Sequence, residues 1–140
     1  MALAEQYDSQ KVGGVSDRTV AFLDAVQEGL PVAMAEDIAT KLAPSDPTFR
    51  YQIVPKATLA RRKHTARLSP EEGERAMRLV RLWALTLRFW KNDEEAARAF
   101  LWRKNLVLQM RRPIDLALAG ESGGRMVEDL IGEAEAGVAI

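Results

Sequence analysis

Six cations fall between Pro47 and Pro70 with no carboxylate among them: Arg50, Lys56, Arg61, Arg62, Lys63 and Arg67, with His64 in their midst. The whole chain is neutral, with 20 Lys and Arg against 20 Asp and Glu, so this is a local concentration of charge. Clustered guanidinium and ammonium groups suit phosphates, and an Arg can fork onto a guanine edge. The far end is biased the other way. From Glu121 to Ile140 the charged residues are Glu121, Glu128, Asp129, Glu133 and Glu135 against Arg125 alone. Such a surface suits a protein with a cationic pocket. Catalytic chemistry finds little support. The chain has no Cys and one His, which excludes thiolate catalysis, disulfides, Cys-ligated zinc, a multi-His metal site and a His-paired nucleophile. There is no Gly-rich phosphate loop, and the pair Glu71/Glu72 fits the charge preference of a helix N-terminus. No catalytic residue, metal or cofactor is expected.

The elements that carry these residues read as helices separated by clear breaks. Residues 1–15 are polar with Gly13 and Gly14, and suggest a loose arm. Ser16 or Asp17 can cap a helix bearing Val20, Phe22, Leu23 and Val26, which Gly29 ends. Pro31 fits a first helical position, Met34, Ile38 and Leu42 recur every fourth residue, and Pro44 stops that helix. Asp46-Pro47 can start a short helix through Phe49 and Ile53. Val54, before Pro55, marks a turn, and Pro55 opens a helix through Lys56, Leu59 and Lys63. Ser69-Pro70-Glu71-Glu72 is a capping box with Pro at the first helical position. The long helix after it has a stripe of Ala76, Val80, Trp83, Leu87 and Trp90, widened by Leu79, Leu82, Leu85 and Phe89. A face that broad predicts burial on more than one side. Asp93 caps a helix with Ala97, Phe100 and Leu101 that ends near Asn105. Pro113 starts a helix from Ile114 to Ala119 closed by Gly120, and a last helix with Val127, Leu130 and Ala134 ends at Gly137. No segment sustains period-two alternation, so the fold class is all-α. The hydrophobic fraction of 47% is enough for a core, and 140 residues fit one domain or two small, joined ones.

Two short helices joined by a turn, the second rich in Arg and Lys, match a helix-turn-helix, whose second helix enters the major groove. Lys56, Thr58, Arg61 and Arg62 then face DNA, with Leu59 and Ala60 toward the core. Lys63, His64 and Arg67 sit on phosphates, which position the protein but carry no sequence information. Charge runs are more often a solvated face, and Val127, Leu130 and Ile131 at helical spacing are more often core than contact.

Thr58-Leu59-Ala60-Arg61-Arg62-Lys63, then Leu68-Ser69-Pro70-Glu71-Glu72, then a Trp/Leu-rich helix, resembles the Xre/MbcA/ParS antitoxins of bacterial toxin–antitoxin pairs. The similarity continues through Phe100-Leu101, Asn105, Pro113-Ile114-Asp115-Leu116, the run Gly123 to Leu130, and the terminal Glu135-Ala136-Gly137-Val138-Ala139. It covers roughly residues 30–140. One departure stands before the recognition helix: where the family has Gly-Ile-Ser, this chain has Ile53-Val54-Pro55, losing an easy left-handed residue and an N-cap while presetting the helical φ.

The resemblance implies a type II antitoxin that binds and blocks the active site of an NAD-consuming or ADP-ribosylating RES-type toxin and represses its own operon by DNA binding. It implies a toxin-binding surface at the end of the chain. Glu133, Glu135 or the terminal carboxylate of Ile140 would occupy the toxin's pyrophosphate site, and Val138 and Ile140 an apolar subsite, with Arg125 and Glu128 on the same surface. The expected division is residues 1–29 as an arm and helix, 30–68 as the helix-turn-helix-like domain packed against 69–140, the toxin-binding and dimerisation domain. The expected partners are the toxin, operator DNA and a second copy of the chain through the helices between Pro70 and Leu116. No apolar run is long enough for a membrane and the N-terminus is not a secretory signal, so the expected location is the cytoplasm. The competing reading is a stand-alone helix-turn-helix transcriptional regulator.

Overall fold

Twenty residues, Pro70–Phe89, form the helix (α4) on which the rest of the chain is assembled in this computed structural model, which describes residues 11–12, 15–16, 20–62 and 67–140. Ahead of it lie α1 (Val20–Glu28), α2 (Val32–Leu42), a 3-10 turn (Phe49–Gln52) and α3 (Lys56–Arg62). After it come α5 (Glu94–Trp102), a second 3-10 turn (Leu106–Leu108), α6 (Pro113–Ala119) and α7 (Glu121–Glu135). The protein is all-α apart from a two-stranded antiparallel ribbon, β1 (Lys11–Val12) and β2 (Val15–Ser16), which pairs Lys11 with Ser16 and Val12 with Val15.

The start of α4 follows its sequence closely. The Ser69 hydroxyl accepts from the Glu72 amide at 3.3 Å, and the Glu72 carboxylate accepts from the Ser69 amide at 2.7 Å, with Pro70 in the first turn. Two of the helix's orphan donors are thereby satisfied. Most of the breadth of its apolar face is used inside one chain, while Leu85 and Phe89 stay half-buried. Ala76, Met77, Leu79, Val80, Leu82, Trp83 and Leu87 are all buried, because α1 and α2 pack on one side and α5, α6 and α7 on the other. The core is continuous across the molecule. Phe49, beyond α2, meets Trp102 at the end of α5 edge-on, 5.3 Å between ring centres.

Several local expectations are corrected. Ser16 lies in β2, so it does not cap the first helix, which begins at Val20; Asp17 is outside the described residues. Val12-Gly13-Gly14-Val15 puts Gly-Gly between β-branched residues, a hairpin signal. Pro31 is extended, with φ −62° and ψ 139°, and precedes α2; a bridge to Arg67 and the Leu68 amide bond to the Leu30 carbonyl at 2.8 Å hold it there. The segment after Asp46-Pro47 makes only a 3-10 turn, with Asp46 Oδ1 accepting from both the amide and the hydroxyl of Thr48. Ala60 faces solvent, whereas Leu59 is buried as expected. The helix after Asp93 ends at Trp102, three residues before Asn105. Val20 and Leu23 are exposed, so α1 buries only part of its apolar stripe.

Two glycines are required by close approach. Gly29 ends α1 at φ +105°, where an added Cβ would lie 3.0 Å from Arg67 Cβ. At Gly123, near the start of α7, a Cβ would fall 2.0 Å from the Leu116 carbonyl oxygen, so α6 and α7 meet backbone to backbone.

Candidate functional site

Two surfaces and one loop concentrate the exposed chemistry. The first surface is α3. Pro55 opens this helix, its carbonyl accepting from the Leu59 amide at 2.8 Å. Buried Ile53, Val54 and Leu59 seat it on the core, and Arg75 of α4 donates to the Ile53 carbonyl at 2.6 Å. The turn is therefore braced from α4 despite lacking a glycine. On the outer side, Lys56 and Arg61 are exposed and Thr58 is half-buried. Lys56 lies 5.8 Å from the centre of the Tyr51 ring. Half-buried Arg62 and exposed Arg67 each hold a partner within the fold. Arg62 Nε stands 3.4 Å from the buried Glu72 carboxylate, and Arg67 donates to the Gly29 carbonyl at 3.0 Å. Lys63 and His64 lie outside the described residues. Arg50, upstream, sits 5.3 Å over the Tyr51 ring.

The second surface is α7 and the tail after it. Val127, Leu130 and Ile131 are buried core. Along the α4-facing side, acids recur every seventh residue, and α4 answers with Arg81 and Arg88 at the same interval. Arg81 binds Glu121 at 3.0 Å and Glu128 at 2.5 Å, and Arg88 reaches Glu135 at 3.4 Å. Three of the five acids are thus engaged within the chain. Asp129 and Glu133 are exposed, as is Arg125. Beneath this ladder Arg78 is buried and donates to the Ala117 carbonyl at 2.7 Å, with Glu121 3.9 Å away. Burial pushes its pKa down and Glu121 opposes that shift. Gly137 turns the chain at φ +99°; Val138 then faces solvent, while Ile140 folds back against the core cluster.

The loop between α5 and α6 carries no motif in its sequence that marks it as a site. Asn105, buried, organises it: its side chain accepts from the Val107 amide at 2.9 Å, its carbonyl from Leu108 and Met110, and its own amide donates to Arg111 at 3.0 Å. The chain closes into a knuckle only by placing Gln109 at φ 54° and Met110 at φ 65°. Left-handed backbone at residues other than Gly costs about 1–2 kcal/mol each. The knuckle presents Leu106 at 81%, Val107 at 56% and Met110 at 54% exposure. Its flanks are basic: Arg103, Lys104, Arg111 and Arg112, with no acid from 103 to 112. Arg112 is engaged by Asp115, whose hydrogen bond raises its pKa. A cleft of about 370 Å³ separates knuckle from tail, lined by Arg103, Lys104, Asn105, Leu106, Val107, Ala139 and Ile140. The available sequence signal was Leu106-Val107-Leu108, apolar and off any helical period, between cations.

The two halves are joined through side chains of α5. Arg98 donates to the Lys41 carbonyl at 3.1 Å and the Trp102 indole to the Leu42 carbonyl at 2.9 Å, filling acceptors at the C-terminus of α2.

Among the described residues there is no cluster of three or more His, Asp or Glu able to hold a metal, and no helix is long and apolar enough to cross a membrane. Residues 21–81 match the antitoxin Xre-like helix-turn-helix domain family, and residues 84–137 match the antitoxin Xre/MbcA/ParS C-terminal toxin-binding domain family. Over 132 residues the chain is 29% identical to the antitoxin Xre of Yersinia enterocolitica serotype O:8 / biotype 1B, covering 92% of this chain and 88% of that protein.

Proposed function

The chain belongs to the Xre/MbcA/ParS antitoxin family, with a helix-turn-helix domain and a toxin-binding domain, and from that premise we propose that it neutralises an NAD-consuming or ADP-ribosylating RES-type toxin by blocking its active site. The observation that carries this reading is the tail after Gly137. It begins where the toxin-binding match stops, with Val138 exposed and Glu133 accessible one turn earlier. A toxin that binds NAD needs cationic groups for the pyrophosphate, commonly Arg. Glu133 enters that site as an anion, and Val138 and Ile140 exclude water. Glu135 and Glu128 contribute only by leaving Arg88 and Arg81, so they are secondary contacts. Ile140 must likewise leave its place beside the knuckle to enter the toxin's cleft.

The helix-turn-helix domain represses the operon in the same reading. Lys56, Thr58 and Arg61 face outward for base edges and phosphates, and Lys63 and His64 follow them in sequence. A homodimer within the complex has exposed Val20 and Leu23 on α1 to draw on, and half-buried Leu85 and Phe89 toward the end of α4.

Truncation after Gly132 tests the blockade. Core residues Val127, Leu130 and Ile131 are retained, so the shortened chain folds. It is expected to bind the toxin encoded beside it yet fail to stop NAD consumption or to rescue growth on co-expression. Inhibition equal to the full chain would place the blockade upstream and remove the tail from the mechanism.

A further inference from the structure

We propose that the knuckle Asn105–Arg111 is the anchor by which the toxin docks, its apolar tip entering an apolar socket edged by carboxylates on the toxin's surface. This rests on the reading of the chain as an antitoxin. It assigns a second, mechanically separate contact, because docking by the knuckle and blockade by the tail are different acts.

Four observations converge. Leu106, Val107 and Met110 are all more than half exposed, and they share one small loop. Large apolar groups gathered this way mark association sites more often than scattered ones do. The loop's shape is held against local preference: two left-handed residues are kept in place by the buried Asn105 and its hydrogen bonds. Strain of this kind collects where a surface must present a fixed shape. Its location lies within the span matching the toxin-binding domain, and the cleft beside it is also lined by Ala139 and Ile140, so knuckle and tail border one cleft.

Charge selects the occupant. Arg103, Lys104 and Arg111 are exposed around the apolar tip, and no carboxylate stands between residues 103 and 112. The complementary partner presents acids around an apolar socket. A second copy of this chain fits poorly: on α7, its most acidic helix, Glu121, Glu128 and Glu135 are engaged by Arg81 and Arg88, which leaves Asp129 and Glu133 to face three cations. The toxin therefore carries the carboxylates, outside its cationic NAD cleft.

The test uses the full-length chain and the purified toxin encoded beside it, inactivated in its active site. Leu106→Glu with Val107→Glu is expected to weaken binding at least 100-fold while the thermal melt stays unchanged, since both side chains are exposed. Lys104→Glu is expected to slow association at low salt, and the difference from wild type should shrink at high salt. Hydrogen exchange on the unaltered chain guards against a folding defect in the variants: toxin should slow exchange across 105–111. Binding of the double variant within threefold of wild type, or no added protection of that loop, overturns the anchor while leaving the antitoxin reading intact. A double variant that changes self-association but not toxin affinity assigns the knuckle to a homodimer and also overturns it. Failure of the wild-type chain to bind the toxin at all removes the antitoxin reading and the anchor with it.

Discussion

At the scale of single residues, the basic segment divides into cations that can reach a ligand and cations committed to the fold. Arg61 is exposed, whereas Arg62 stands 3.4 Å from Glu72 and Arg67 donates to the Gly29 carbonyl. Arg61→Ala should weaken promoter binding, lower the salt slope by about one unit for each phosphate left without its cation, and leave stability unchanged. Arg62→Ala should instead cost about 1 kcal/mol of stability, because it deprives a buried carboxylate of its cation. Filter binding across a salt series, with denaturant melts of both variants, separates the two; equal effects on DNA and none on stability would refute the split. The sequence shows the charge but not this division, since each committed Arg meets a residue outside its own helix. The same limit hides the acids of α7. Their seven-residue interval is visible in the sequence, and the answering interval in α4 becomes meaningful only when the helices lie side by side.

Elements were the most legible level. The capping box at Ser69, the Asp93 cap, the Pro113 start and the Gly29 and Gly137 ends all stand where the residue types put them. The failures are short: a ribbon of two two-residue strands, a 3-10 turn in place of a helix, and the strained knuckle, each too brief to carry a period. Ser69→Ala should remove half of the capping box and cost about 1 kcal/mol, measured by urea unfolding. The two faces of α7 should respond oppositely to a methyl group. Gly123→Ala drives a Cβ into the Leu116 carbonyl and should cost about 1–3 kcal/mol. Gly132→Ala meets nothing within 4 Å and should stabilise by about 0.4–1 kcal/mol. Equal midpoints for the two variants would mean that α6 and α7 do not touch as described.

For the whole molecule, the apolar breadth of α4 predicts two-sided burial, and most of that burial is supplied by the same chain, with Leu85 and Phe89 left half-buried. Any self-association must therefore use what remains exposed. Val20→Glu with Leu23→Glu should shift sedimentation at micromolar concentration toward the 15.6 kDa monomer; an unchanged mass would exclude α1 from the contact. One feature of the assembly reaches beyond this chain. α5 supplies the donors that finish the end of α2, and α4 runs unbroken between the spans matching the two families. Halves built this way are not interchangeable parts. Recombination within α4 between two such proteins would set one parent's Lys41 and Leu42 carbonyls against the other's side chains at the positions of Arg98 and Trp102. A viable hybrid has to inherit both sides of that seam together, so whatever the helix-turn-helix half and the toxin-binding half each recognise should tend to pass between lineages as one heritable unit.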